Sequence, residues 1–208
     1  AVKLSGASAK PLIYLITDGE ISNENFAEKS LQTLKLIKKA VEAEISLIQI
    51  REKNISTKLL FELSEKAAQI TRDSATKLLI NDRADVALAA NADGVHLTSQ
   101  SISAEIIRAA FPGNFMIGVS AHSLEKALEV KKQGADFITF SPVFDSPNKG
   151  KAVGIKKLRE VCEALEDFPV IALGGIDETN YERVLETAGG FAAIRFLNNT
   201  ENLRKFKQ

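Results

Sequence analysis

The sequence predicts a single-domain (β/α)8 TIM barrel over residues 11–208, and three observations carry the prediction. Eight short apolar runs alternate strictly with eight helical segments. The run Val170–Ile176 (VIALGGI) ends abruptly in two glycines, and a second run of the same kind, Phe191–Phe196 (FAAIRF), follows after one helix. Two consecutive strand ends able to share one phosphate are characteristic of the last quarter of such a barrel. Lastly, polar residues capable of chemistry gather after the C-terminal ends of the apolar runs, while the opposite ends contribute little. A doubly wound open sheet would alternate similarly, but eight regular units within 208 residues favour closure.

Taken in order, residues 11–18 (PLIYLITD) read as the first strand. Residues 26–43 place Phe26, Leu31, Leu34, Ile37, Ala40 and Val41 at helical spacing. The second strand, 46–52 (SLIQIRE), alternates, setting Gln49 and Arg51 on the face opposite Ile48 and Ile50. A helix over 57–74 leads to strand three at 77–82 (KLLIND) and a short helix at 84–90. Strand four is 94–98 (GVHLT), and its helix, 104–111, stops at Pro112-Gly113. Strand five, 116–121 (MIGVSA), precedes a helix over 124–133 with Gly134 as its C-terminal glycine. After strand six, 137–142 (FITFSP), the polar stretch 145–153 (DSPNKGKAV) is long for a βα connection and reads as a candidate lid. Helices follow at 155–165, at 178–188 between the last two strands, and at 200–206.

Composition narrows the function classes. Lys plus Arg equals Asp plus Glu, 27 each, so overall charge favours neither nucleic acid nor an anionic membrane. No apolar run approaches the ~20 residues that span a bilayer. Cys162 is the only cysteine, which excludes a disulfide framework, and its helical context (VCEALE) reads as a small buried hydrophobe. Eleven Phe residues are enough for core and helix shell, so none marks a dimer interface. Residues 1–10 (AVKLSGASAK) lack a signal peptide's apolar core and read as a disordered or expression-derived N-terminus. The expectation is a cytoplasmic enzyme with a small-molecule substrate and no nucleic-acid or membrane partner; a homo-oligomer is compatible.

Active sites of this fold lie at the C-terminal strand ends. The glycine pair Gly174-Gly175, read as a strand feeding a helix N-terminus, leaves backbone N–H groups open to an anion, although such a pair also makes an ordinary tight turn. Arg51 and Lys53 suit a phosphate or pyrophosphate, or else an ordinary ion pair with Glu52 or a neighbouring carboxylate. Asn81 and Asp82 suit Mg²⁺ or a polar ring substituent, or else a helix cap. His96 reads as structural or positioning. His122, after strand five and Ser120, is the best-placed proton carrier. No nucleophile elbow, zinc spacing or dinucleotide fingerprint is present.

The runs QIREK, NDR, ADGVHL, IGVSAHS, GADFITFSPVF with Lys149 beyond it, VIALGGI and AAIRF, in this order, resemble the thiamine phosphate synthase/TenI family from about Pro11 to Leu197. The resemblance implies a (β/α)8 barrel acting on a phosphorylated thiazole, in one of two branches. The synthase branch joins a thiazole phosphate to hydroxymethylpyrimidine pyrophosphate using Mg²⁺. The TenI branch, a thiazole tautomerase, moves a proton to aromatise a thiazole carboxylate phosphate and needs no metal. By position, Gln49, Arg51, Lys53, Asn81, Ser120 and Lys149 are then substrate-binding, and Gly174, Gly175, Ile194 and Arg195 hold the thiazole phosphate. Asp82 is an Mg²⁺ ligand in the synthase reading, and His122 is the catalytic residue of the tautomerase reading.

The departures from the family pattern favour the tautomerase. Ser101 stands where the synthase has its second Mg²⁺ carboxylate, and a neutral hydroxyl is a weak ligand for a hard cation. The synthase's Thr-x-Thr-Lys loop here reads Ser146-Pro-Asn-Lys149, and Arg195 occupies a position where Ser is common. The tautomerase is therefore the leading expectation, with the synthase second and a non-catalytic thiazole or thiamine phosphate-binding regulator third.

Overall fold

The computed structural model describes residues 10–146 and 150–207, so the expectation for the extreme N-terminus falls largely outside the described residues. Eight parallel strands close into a barrel in chain order. They are β1 (Leu12–Ile16), β2 (Leu47–Ile50), β3 (Lys77–Asn81), β4 (Gly94–Leu97), β5 (Met116–Ala121), β6 (Phe137–Phe140), β7 (Val170–Leu173) and β8 (Gly190–Ala193). Helices alternate with them: α1 (Phe26–Glu42), α2 (Thr57–Thr71), α3 (Ala84–Ala89), α4 (Ala104–Ala110), α5 (Leu124–Lys132), α6 (Gly154–Leu165) and α7 (Tyr181–Leu185). The chain divides into two compact units, one of Ala1–Ile13 and His96–Ala193, the other of Tyr14–Val95 and Ile194–Gln208. Among the described residues no helix is long and apolar enough to cross a membrane.

In the Tyr14–Val95 unit, β1 and β2 pair from Tyr14↔Leu47 to Ile16↔Gln49, and β2 and β3 from Leu47↔Lys77 to Ile50↔Ile80. The alternation expected for β2 does not separate buried from exposed residues, because all four are buried. Gln49 is inside, and its Nε2 donates to the Tyr14 hydroxyl at 2.7 Å, which gives each of these buried side chains a partner. α1 buries Ser30, Leu36, Ile37 and Ala40. Leu31, expected on that stripe, is 59% exposed, since it lies about 100° round the helix from Ser30. Ser56 caps α2 by accepting the N–H of Leu59 at 3.3 Å.

In the His96–Ala193 unit, β5, β6 and β7 pair in register from Gly118↔Phe137 and Ile138↔Val170, and β7 pairs with β8 from Ile171↔Gly190. Arg108 of α4 ties the entrances of β5 and β6 together. Its guanidinium donates to the carbonyls of Phe115 (2.7 Å) and Gly134 (3.0 and 3.1 Å) and pairs with Asp136 at 2.7 Å. α4 ends at Ala110, before Pro112-Gly113, and Gly134 follows the cap of α5, both as the sequence predicts.

Three expectations near the C-terminus are corrected. The strand read over Phe191–Phe196 stops at Ala193. Ile194 (φ −92°, ψ −81°) turns the chain, and Arg195 opens the short helix α8 (Arg195–Asn198). Asn198 secures that turn, donating to the carbonyls of Ile194 and Ile16, both at 2.7 Å. The final helix read over 200–206 is instead α9 (Thr200–Leu203) and a 3₁₀ turn, Arg204–Phe206. The helix read over 178–188 contracts to Tyr181–Leu185, because side chains take the preceding backbone donors. Asn180 accepts the N–H of Asp177 at 3.0 Å, and Asp177 accepts the N–H of Thr179 at 2.9 Å.

Candidate active site

At the end of β2 the QIREK run splits by depth. Gln49 and Glu52 are buried, Arg51 is half-buried and Lys53 is exposed. The ion pair read between Glu52 and its cationic neighbours does not form. Glu52 instead accepts the Thr17 hydroxyl (2.6 Å) and the N–H groups of Ile21 (3.0 Å) and Gly19 (3.3 Å). Burial pushes its carboxyl above the ordinary range, a rise opposed by those hydrogen bonds. The side chains of Arg51 and Lys53 make no ion pair or hydrogen bond among the described residues.

One strand further on, Asn81 is half-buried at the end of β3 and Asp82 is exposed, with φ 62°. Asp tolerates this left-handed backbone better than most residues. The adjacent Arg83 is committed elsewhere, gripping Asp85 through two bonds (2.6 and 2.8 Å) and Thr57 at 2.9 Å. The Asp82 carboxylate therefore has no ion pair among the described residues. Extending the β2–β3 register one residue past Ile50↔Ile80 sets Arg51 level with Asn81. In the same unit, Ile194 caps α8 half-buried, and Arg195 is exposed.

In the His96–Ala193 unit, His96 is 3% exposed. Its Nε2 lies 3.0 Å from the Ser120 hydroxyl and 3.3 Å from that of Thr139. Gly118 leaves room for this ring; a Cβ there would lie 2.8 Å from His96 Nδ1 and overlap the ring of Phe137. Ser120 is thus half-buried and held from two sides. His122 is exposed, and its Nδ1 is 2.8 Å from the Ser141 carbonyl. A carbonyl only accepts, so this contact assigns the proton to Nδ1 and leaves the Nε2 lone pair outward in the neutral ring.

The glycine pair occupies a different setting from the one expected. Gly174 (φ 104°) and Gly175 (φ 64°) make a left-handed turn after β7, and α7 begins only at Tyr181. Both positions require glycine for space as well. A Cβ on Gly174 would lie 2.7 Å from Pro142 Cα, and one on Gly175 2.5 Å from the Asp145 carbonyl oxygen. The segment after β6 packs here, with the N–H groups of Val143 and Phe144 donating to Leu173 and Gly174 at 2.9 and 3.0 Å. The N–H groups of Gly175 and Ile176 have no acceptor among the described residues, so the turn presents two backbone donors without a helix behind it. Lys149 lies outside the described residues.

Ser101 is spent locally. Its hydroxyl accepts the Thr98 N–H at 2.7 Å and lies 3.1 Å from the Thr98 hydroxyl, closing a turn after β4. Among the described residues no group of three or more His, Cys, Asp or Glu forms a ready-made metal cage.

Known proteins point the same way across the whole barrel. The family model described as thiamine monophosphate synthase matches residues 13–197. A protein of Aquifex aeolicus provisionally named thiamine-phosphate synthase 2 is 44% identical over 169 residues, covering 80% of this chain and 86% of its own length. The thiamine-phosphate synthase of Clostridium tetani is 33% identical over 196 residues, covering 93% and 90% respectively. Among solved structures, the thiamine phosphate pyrophosphorylase of Pyrococcus furiosus superposes with a TM-score of 0.79 at 33% identity, covering 94% of each chain.

Proposed function

Because this chain belongs to the thiamine monophosphate synthase (TMP-TENI) family, we propose that it is a thiamine-phosphate synthase, a cytoplasmic transferase. It joins a pyrimidine pyrophosphate to a thiazole phosphate and releases pyrophosphate. One observation carries this reading: Arg51, Lys53 and Asp82, at neighbouring strand ends of one unit, are left without ion pairs among the described residues. Two cations beside a free carboxylate suit a pyrophosphate and its counter-ion, and a proton shuttle on a monophosphate has no evident use for them. This ordering reverses the expectation drawn from Ser101, the Ser146–Lys149 loop and Arg195.

The donor set fits Mg²⁺ in a restricted sense. The ion is commonly held by one or two carboxylates plus substrate phosphates, and Asp82 supplies one. Asn81 is a second oxygen donor beside it, whereas Ser101 is closed on Thr98. Bound there, Mg²⁺ would neutralise pyrophosphate charge. Arg51 and Lys53 would hold the departing phosphates and Ser120, oriented by His96, would donate a hydrogen bond to substrate. The N–H groups of Gly175 and Ile176, without acceptors among the described residues, would receive the thiazole phosphate.

The second reading, a tautomerase, rests on the closed Ser101 turn and on His122, whose Nε2 is presented as a base by the Ser141 contact. General acid–base catalysis of this kind supplies about 10²–10⁴-fold. A paired assay separates the two. Thiamine phosphate formed from both substrates with Mg²⁺ is the expected result. Aromatisation of the thiazole carboxylate phosphate alone, with no coupling, would replace the synthase by the tautomerase. Tight phosphate-ester binding with neither reaction would indicate a regulator.

A further inference from the structure

Glu52 is anomalous within its run. It lies between half-buried Arg51 and exposed Lys53, yet it is 5% exposed and pairs with neither. A buried carboxylate without a counter-charge is costly unless its hydrogen bonds are well made. Those bonds have a direction. Glu52 accepts the one proton of the Thr17 hydroxyl at 2.6 Å, so the Thr17 oxygen is left to accept, and it takes the N–H of Arg51 at 2.8 Å. The same carboxylate fixes the turn after β1 through Gly19 and Ile21. That turn packs directly on Arg51: a Cβ on Gly19 would lie 3.3 Å from the Arg51 carbonyl oxygen and 3.7 Å from its guanidinium Nη1.

We propose that Thr17 and Glu52 are positioning residues for Arg51, holding its backbone and walling its guanidinium in the setting that receives the substrate pyrophosphate. The inference rests on the pyrophosphate reading of Arg51 given above. The carboxylate orients the hydroxyl, the hydroxyl anchors the amide, and the turn limits the rotamers open to the side chain. Neither Thr17 nor Glu52 need touch substrate.

The test is calorimetric titration of the intact protein with inorganic pyrophosphate, alongside steady-state coupling kinetics and a melting curve for each variant. Glu52→Gln is the obvious change but sets an amide N–H against a backbone donor and risks misfolding. Thr17→Val is nearly isosteric and removes only the relay. It should weaken pyrophosphate binding roughly 5–10-fold, the effect of one hydrogen bond, and raise KM for the pyrimidine pyrophosphate more than it lowers kcat. Thr17→Ser, which keeps the hydroxyl, should stay within about twofold of wild type. Arg51→Ala should lose at least about tenfold, and adding Thr17→Val to it should lose nothing more, because residues acting through one another are non-additive. Wild-type-like binding by Thr17→Val, or an equal further loss in the Arg51→Ala background, would overturn the positioning role while leaving the synthase reading intact. Failure of folded wild type to bind pyrophosphate would overturn both, whereas coupling activity with an unaffected Thr17→Val would overturn only this inference.

Discussion

Replacing Gly175 by Ala tests the idea that the turn after β7 is shaped by close approach as well as by backbone conformation. At φ 64° an alanine pays about 1–2 kcal/mol for the left-handed backbone, of which about 0.4–1 kcal/mol returns through a less disordered unfolded chain. Its Cβ would also sit 2.5 Å from the Asp145 carbonyl oxygen and 2.8 Å from Phe144 Cβ. Relieving that overlap moves the segment after β6 and strains the Phe144 N–H bond to Gly174, at an overpacking cost of about 1–3 kcal/mol. The sum is about 2–4 kcal/mol, or roughly 5–15 °C in Tm for a chain of this size. Gly154 is the matched control, with φ 79° and no atom within 4 Å of a built Cβ, so Gly154→Ala should lose only about 1 kcal/mol. Gly113, with open space and no left-handed φ, should tolerate Ala without loss. Thermal melts of the three variants decide the matter. If Gly175→Ala melts with Gly154→Ala, the overlap is relieved without cost and the reasoning fails.

Further outcomes follow from single side chains. Asp82→Asn should leave the fold unchanged, since the exposed carboxylate has no ion pair among the described residues to lose, and should reduce Mg²⁺-dependent coupling by about 10²-fold or more, as for a removed charge-stabilising group; retention of wild-type rate at low Mg²⁺ would remove Asp82 from the site. Burial and Glu163 push the Cys162 thiol up to about 11, so little thiolate exists at neutral pH and a disulfide reagent should label the native protein far more slowly than the unfolded chain. Glu52 holds its proton to a higher pH folded than unfolded; the folded state therefore binds more protons above the ordinary carboxylate range, and stability falls as pH rises through that window. Relative to Glu52→Gln, wild type should have its largest Tm advantage near pH 4 and lose part of it towards pH 7; a constant difference would show that Glu52 does not titrate there.

Much of the barrel is legible because its signals are local. Pro112-Gly113 stops α4, Gly134 closes α5, and the glycine pair marks the end of β7. The less legible features depend on partners distant in sequence. Nothing in QIREK says that Gln49 is buried against Tyr14, 35 residues away, or that Glu52 is buried against Thr17 and Ile21. A glutamate between two cations reads as solvated, and only the turn after β1 makes it otherwise. The C-terminal quarter misleads for another reason. Asp177, Asn180 and Asn198 use their side chains as backbone partners, which shortens α7 and ends β8 where apolar periodicity alone runs on. The choice between synthase and tautomerase is subtler still, because Ser101 speaks against a metal carboxylate while Arg51, Lys53 and Asp82 keep the charges that a pyrophosphate requires.

The segment after β6 leaves and rejoins the barrel through one closed stem. Val143 and Phe144 bond to Leu173 and Gly174, while the N–H groups of Val153 and Gly154 return to Pro142 and Val143 at 2.8 and 3.0 Å. Its two ends are thereby pinned to each other as well as to the sheet, as in an interchangeable cassette. Eight residues, 145–152, separate the pinned ends, and doubling such a span adds only about 0.6 kcal/mol of closure entropy. Changes in the length of this span should therefore cost the barrel little stability, because the bonds that pin its ends lie outside it.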